Sequence, residues 1–424
     1  MSTIERYTVV GGTPLRGRVA VSGAKNASLP ILAAALLTQG GATLHHIPAI
    51  RDVGVMLGIL GHLGTGVEVL GTEPSGQTLR ITANGLNKPG VGEEFTREMR
   101  SSIFLMGPLL ARLGKIRISY PGGCAIGPRP IDFHLRGLER LGARIEERYG
   151  FIEAEVDGRL KGNEIYLDFP SVGATENLMM AAVLAEGTTV IRNAAREPEI
   201  VDLQNFLNRM GAKMRGAGMD VIRIQGVKEL QSVEHTVIPD RVEAGTFLAA
   251  AAITGGDVTV ENVVPEHVDA IAAKLREMGV QTDQGDDWIR AVGPSRLTAA
   301  DLKTLPYPGF PTDMQPQMMA LMSVANGTSI VTETIFENRF KVAEELRRLG
   351  ANVKTDGRTA VIQGVERLSG ATVECPALRE GVALVLAGLA AEGQSTIMGV
   401  HHIDRGYQHL EQKLVGLGAR ITRE

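Results

Sequence analysis

Cysteine occurs only twice in the 424 residues of this chain and tryptophan once. So few thiols exclude a disulfide framework and fit a reducing cytoplasm, the expected location. Aromatic residues make up 4% of the chain and the net charge is -4. Little is left with which to stack bases or neutralise a phosphate backbone, so no nucleic-acid partner is expected. The longest apolar runs, such as "VALVLAGLAA" at 382–391, are about half the length that spans a bilayer, which argues against membrane insertion. The opening "MSTIERYTVVGG" has no basic segment running into an apolar one, so a signal peptide is not expected. No G-x-x-x-x-G-K-[ST], G-x-G-x-x-G or paired C-x-x-C pattern occurs. A nucleotide-cradling loop and a structural zinc site are therefore not expected.

What is there is repetition. A helix-end signature of Leu or Met, then Gly, then a short alternating segment occurs six times: "ILGHLGTGVEV", "GLERLGARIEE", "FLNRMGAKMRG", "KLREMGVQTDQ", "ELRRLGANVKT" and "KLVGLGARITR". Its glycines are Gly64, Gly142, Gly211, Gly279, Gly350 and Gly418, at intervals of 78, 69, 68, 71 and 68. Glycine just past an amphipathic helix is the expected left-handed cap. Alanine- and leucine-rich helices such as "AAVLAEGTTVI" and "AAAAITGGDVTV" run in step with this signature. The spacing predicts six units of about 70 residues, each helix–Gly–strand–loop–helix–Gly–strand. One unit is too small to bury its own faces. Six α+β units grouped three and three into two similar lobes are the expected architecture.

Two loop positions recur in every unit, and the chemically active residues concentrate there. The first lies before the alanine-rich helix and carries Lys25, Arg100, Asp313 and Arg379; the second follows the next strand and carries Arg51, Arg129, Arg339 and Arg405. Helix N-termini offer unpaired N–H groups and a favourable dipole to anions. A cleft lined this way would attract a ligand with several negative charges. Each residue also has an ordinary reading. An arginine beside a turn is commonly solvated, Asp313 in "FPTDMQ" suits a helix N-cap, and Lys25 and Asn26 suit a helix start. His401 and His402 are adjacent and fit no metal-ligand spacing, and Cys375 reads as the end of a buried strand. Cys124, in "PGGCAIGPRP", is harder to set aside. Arg129 lies five residues on, and positive charge favours a thiolate. The glycines and prolines around it suit a lid that closes on a ligand.

The motifs "SGAKNASLPILAAALL", "PGGCAIGPRPID", "NAAREPEIVD", "FPTDMQ", "TETIFENRF" and "HHIDRGY", in this order, resemble those of the UDP-N-acetylglucosamine enolpyruvyl transferases. The resemblance runs from about residue 7 to the end. It implies an inside-out α/β barrel fold of two lobes with three units each. By the same resemblance residues 1–24 join 239–424, because the N-terminal strand crosses back, and 25–238 form the other lobe. The implied reaction transfers the enolpyruvyl group of phosphoenolpyruvate to the 3'-hydroxyl of UDP-N-acetylglucosamine with release of phosphate. It is the first committed step of peptidoglycan precursor synthesis and needs no metal or organic cofactor.

Residue by residue, the resemblance makes Cys124 the proton donor to the phosphoenolpyruvate methylene and a site of covalent adducts. Asp313 accepts or orients the 3'-hydroxyl proton. Lys25, Arg129 and Arg405 match phosphate ligands, Arg339 and Arg379 the carboxylate side, and Asn26 and Arg100 further substrate contacts. Arg129, Pro130, Ile131, Asp132 and Phe133 match the segment that cradles uracil. Ser171, Val172 and Gly173 match diphosphate and nucleoside contacts, and Ile335 packs near the sugar. These residue types suit the chemistry, since addition to an enol needs an acid and a base on the reacting pair and fixed cations around the phosphate. Two positions depart from the pattern. Ala377 stands where many members have Asp, which puts in doubt an ion pair to Arg405 or Arg379. Phe169 stands where some have Lys, which bears on one diphosphate contact. Two alternatives stay open on the residues alone: an enolpyruvyl transferase with another acceptor, and an idle paralogue that only binds the nucleotide sugar. The oligomeric state is left open.

Overall fold

The computed structural model describes residues 5–120 and 131–424, apart from the side chain at position 97. The expectations for Cys124, Arg129 and Pro130 lie outside the described residues. These residues divide into two compact units, 5–22 with 239–424 and 23–120 with 131–238.

The repeat is realised in six four-stranded sheets, three in each unit. The sheet Glu164–Tyr166, Thr188–Arg192, Val221–Gln225, Lys213–Arg215 is typical. Its first pair is parallel and the other two pairs are antiparallel. The other five sheets repeat this order. Along the chain the elements run short strand, helix Val172–Ala182, strand, helix Pro198–Arg209, then the two hairpin strands. The sequence repeat contains two strands and the sheets contain four. The additional ones are the three-residue edge strand and the second hairpin arm, neither of which carries the glycine signature. The hairpin arm alternates as a half-buried strand should, with Ile222 and Ile224 fully buried. All six signature glycines have φ between 90° and 101°, a region that side chains with a Cβ avoid.

The alanine-rich helices form the inside of each unit. In one, the helices Arg241–Thr254, Gln315–Met322 and Leu378–Ala390 pack on one another. Arg241 through Ile253 are buried without exception. A helix that is apolar on all sides belongs in a core. In the other unit Val172–Ala182 packs on both Met106–Leu113 and Lys25–Ala34, and all three helices contribute to one core. The second helix of each repeat is amphipathic: in Asp132–Arg140 the residues His134, Leu135, Gly137 and Leu138 are buried, at helical spacing. Sheets outside and helices inside make each unit an inside-out α/β barrel. A fully buried Leu or Phe contributes about 1.5–3 kcal/mol, and each unit closes its own cluster of such residues.

The chain's N-terminal strands fill places in the C-terminal unit. Arg6–Val10 lies antiparallel between Gln394–Met398 and Arg420–Arg423. Arg16–Ala20 runs parallel to Asp257–Glu261. In the other unit the corresponding edge place beside Ala42–Ile47 is taken by Val233–Thr236. Where the chain leaves the C-terminal unit, Ser22 N–H donates to Glu243 (2.8 Å) and Lys413 Nζ donates to both Ser22 Oγ (2.8 Å) and Glu243 (2.5 Å). No described helix is long and apolar enough to cross a membrane.

Candidate active site

In the unit 23–238 the expected residues sit at helix starts. Ala24 is extended (φ -66°, ψ 122°) and Lys25 is the first residue of the helix Lys25–Ala34. The Lys25 ammonium lies 2.8 Å from the Asp52 carboxylate, with side chains 10% and 3% exposed. Asp52 is in the first turn of Arg51–His62, where a negative charge is favoured by the helix dipole. Asn26 is the one residue of its helix that is not buried. Arg100 is half-buried at the start of the 3-10 turn Arg100–Leu105.

Ser171 caps the helix Val172–Ala182, its Oγ accepting from Ala174 N–H at 3.3 Å. Val172 and Gly173 therefore present first-turn N–H groups at a helix N-terminus. A Cβ on Gly173 would come within 3.3 Å of the His134 ring and 3.4 Å of Phe104, so the helix start and the ring pack closely here. The amide of Asn177 fixes that ring: Oδ1 accepts from Gly107 N–H (2.7 Å) and Nδ2 donates to Ile103 O (3.1 Å) and His134 Nδ1 (3.0 Å). The imidazole proton is thereby on Nε2, the nitrogen nearer Gly173. Sequence reasoning passed over His134; a histidine on the apolar face of an amphipathic helix was the available signal. Ile131 is buried and precedes the helix Asp132–Arg140. Asp132 accepts from Arg136 at 2.8 Å, one helical turn on, and the Arg136 guanidinium lies 5.2 Å from the Phe133 ring centre.

In the other unit the expected residues form a tighter cluster. Asp313 lies inside the 3-10 turn Thr312–Met314, whose N-cap is Pro311. The capping role suggested by "FPTDMQ" is not what this carboxylate does. Asp313 Oδ1 accepts from Arg339 Nη2 (2.9 Å), and Oδ2 accepts from Arg379 Nη2 (3.1 Å) and Nε (3.3 Å). Both guanidiniums are buried, with side chains 3% and 4% exposed, and Asp313 is 27% exposed. Charge-assisted bonds of this kind are among the stronger ones available to a protein. Arg379 is the second residue of the helix Leu378–Ala390, entered through extended Ala377 (φ -166°, ψ 176°). Ala377 offers no carboxylate, yet Arg379 keeps Asp313 and also lies 5.3 Å from the Tyr407 ring centre. Tyr407 is in turn hydrogen-bonded to Thr246 Oγ1 at 2.8 Å.

Buried Glu333 organises the same neighbourhood and was not legible in the sequence. It accepts from Thr304 Oγ1 (2.8 Å), Thr312 Oγ1 (2.9 Å), Ile335 N–H (2.8 Å) and Phe336 N–H (3.2 Å). The turn carrying Asp313 and the loop carrying Ile335 are thus tied to one carboxylate. Arg405 ends the 3-10 turn Val400–Arg405 and is half-buried. His401 and His402 lie ring to ring, 4.2 Å apart. Among the described residues no group of three or more His, Cys, Asp or Glu is arranged to hold a metal. Cys375 is buried, and burial pushes its thiol well above the usual range. Two surface cavities, about 400 Å³ beside Arg16, Arg18, Trp288 and Arg290 and about 500 Å³ beside His45, His46, Glu73 and Arg209, contain none of these site residues. Their position on outer sheet faces makes the buried charged clusters the better guide to the chemistry.

Comparison with known proteins follows the same line. The family model for EPSP synthase (3-phosphoshikimate 1-carboxyvinyltransferase) matches residues 9–414. A UDP-N-acetylglucosamine 1-carboxyvinyltransferase 1 of Symbiobacterium thermophilum is 75% identical over 419 residues, covering 99% of this chain and 95% of that protein. The protein of the same name from Carboxydothermus hydrogenoformans is 53% identical, covering 99% and 98%. Among solved structures, the enolpyruvyl transferase NikO from Streptomyces tendae superposes with a TM-score of 0.88 at 24% identity, covering 99% of each chain. An EPSP synthase from Acinetobacter baumannii gives 0.76 at 20% identity, covering 99% and 100%. At those identities the likeness speaks for the fold.

Proposed function

This chain belongs to the UDP-N-acetylglucosamine 1-carboxyvinyltransferase family, within the EPSP synthase superfamily, and we infer that it transfers the enolpyruvyl group of phosphoenolpyruvate to the 3'-hydroxyl of UDP-N-acetylglucosamine. Phosphate is released, and the product enters peptidoglycan precursor synthesis. The observation that carries this reading is 75% identity over essentially the whole chain to a protein of that name. No finding favours another acceptor or an idle paralogue.

The residues divide the work as follows. Lys25, Arg129 and Arg405 hold the phosphate of phosphoenolpyruvate, while Arg339 and Arg379 hold its carboxylate. Cys124 gives a proton to C3, and C2 develops positive charge. The 3'-oxygen bonds to C2 as Asp313 takes the hydroxyl proton. In the second half, C3 gives a proton back to the Cys124 thiolate, the C2–O bond to phosphate breaks, the enol ether forms, and the proton held by Asp313 leaves with the phosphate. The charges around the leaving phosphate are fixed before the reaction, so little reorganisation accompanies its departure. The ion pair of Lys25 with Asp52 supports this assignment, because it fixes the ammonium in direction. Asn26, Arg100, Ile131, Asp132, Phe133, Ser171, Val172 and Gly173 bind the nucleotide sugar together with Pro130 and Ile335. The capped helix start at Ser171 supports a diphosphate contact there, independent of a lysine at position 169. The enzyme works in the cytoplasm, a location that the scarcity of cysteine supports.

Phosphate release from phosphoenolpyruvate tests the reading. Release that requires UDP-N-acetylglucosamine, and that falls at least about a hundredfold in Asp313→Ala, is expected. Release that is indifferent to the acceptor would contradict it.

A further inference from the structure

The pair Arg339 and Arg379 is a built carboxylate site, and the carboxylate it holds, that of Asp313, is part of the chain. Three guanidinium nitrogens converge on the two oxygens of Asp313 at 2.9, 3.1 and 3.3 Å. Two further nitrogens of the same pair, Arg339 Nε and Arg379 Nη1, are buried without a hydrogen-bond partner. Glu380 stands 3.8 Å from Arg339 Nε, beyond hydrogen-bond reach. Buried donors of a cation are costly to leave unused. With Glu380 beside Arg339 and Tyr407 beside Arg379, an incoming carboxylate competes with Asp313 for the pair. Access is available from the Asp313 side, the only one of the three side chains that is substantially exposed.

A carboxylate held by two guanidiniums is a poor proton acceptor, because the ionised form is what the arginines stabilise. Resting on the reaction proposed above, we propose that Asp313 is a caged base, and that the carboxylate of phosphoenolpyruvate uncages it by taking its place on Arg339 and Arg379. The exchange swaps one carboxylate for another, so the net charge on the arginine pair is unchanged. The displaced Asp313 is ionised, released from its strongest partners and able to receive the 3'-hydroxyl proton. Deprotonation of the acceptor is thereby coupled to the presence of the second substrate, which suppresses activation of the hydroxyl when phosphoenolpyruvate is absent. Tyr407 and Thr246 hold Arg379 from behind, and Glu333 holds the Thr312 end of the turn. Asp313 is the more exposed member of the cluster.

The exchange makes Asp313 an internal competitor of phosphoenolpyruvate, and competition is measurable without turnover. In calorimetric titrations, phosphoenolpyruvate is expected to bind Asp313→Asn about tenfold or more tighter than wild type, although the variant turns over poorly. Asp313→Ala removes the same charge and is expected to behave alike, so the test does not depend on one variant folding. Thermal unfolding of each variant confirms the folded state. Equal or weaker binding by a folded variant, while wild type releases phosphate with UDP-N-acetylglucosamine, overturns the exchange and leaves the reaction standing. Wild type that neither binds phosphoenolpyruvate nor releases phosphate overturns the reaction, and the exchange with it.

Discussion

Lys25 and Asp52 form a buried ion pair, 2.8 Å apart, that joins the first turns of two helices 26 residues apart in the numbering of their leading residues, Lys25 and Arg51. Burial makes this pair unlike the exposed ones. Asp52→Asn is expected to cost about 3–5 kcal/mol, since it strips the counter-charge from a buried cation. Asp157→Asn, which breaks a pair to Arg144 with side chains 60% and 85% exposed, is expected to change stability far less, because solvent screens the pair. Urea unfolding of the two variants measures the contrast.

Glu176 gives a pH prediction of definite sign. It is 1% exposed, neither carboxylate oxygen has a hydrogen-bond partner, and burial, then Glu199 and Glu197, push its pKa well above the ordinary value. A carboxyl whose pKa is raised on folding stabilises the fold below its unfolded pKa, and that contribution is lost as pH rises through the folded value. Glu176→Gln keeps the shape and removes the titration. It is expected to be more stable than wild type at pH 8, with the advantage shrinking as pH is lowered towards 4. A variant less stable than wild type at pH 8 would contradict the assignment of a neutral buried acid.

The two cysteines are expected to differ sharply. Burial and a raised thiol pKa leave Cys375 without thiolate at neutral pH. Fosfomycin, the epoxide inhibitor of this family, is expected to alkylate Cys124. Peptide mapping by mass spectrometry should find the adduct in wild type and Cys375→Ser and lose it in Cys124→Ser.

The repeat glycines make a cheaper test of the fold. Gly211 has φ 101° and open space where a Cβ would go. Gly211→Ala should therefore cost about 1–3 kcal/mol through backbone strain alone, with no clash to relieve. Thermal melting reads this, and an unchanged midpoint would mean the cap is dispensable.

Much of the fold could be read from such glycines, because a left-handed cap leaves its mark on one residue type at one place. The alanine-rich helices were legible for the same reason: a helix buried on all sides has no polar face to disguise it. Edge strands such as Glu164–Tyr166 were not, since three residues carry no measurable alternation. At the site, the sequence marked Lys25, Asp313, Arg339, Arg379 and Arg405 by their recurring loop positions. It could not show that Asp313 is gripped by arginines 26 and 66 residues away, and a local reading made it a helix cap instead. Glu333 and His134 escaped for a related reason. Their importance lies in partners brought together by folding, and nothing adjacent in the chain announces them.

The central claim is one chemical event, the appearance of an enol ether on the nucleotide sugar. Incubating the protein with phosphoenolpyruvate and UDP-N-acetylglucosamine and weighing the nucleotide by mass spectrometry tests it most directly. The account predicts a UDP-N-acetylglucosamine heavier by one enolpyruvyl group, formed one for one with phosphate. An unmodified nucleotide recovered from folded, phosphoenolpyruvate-saturated protein would contradict it.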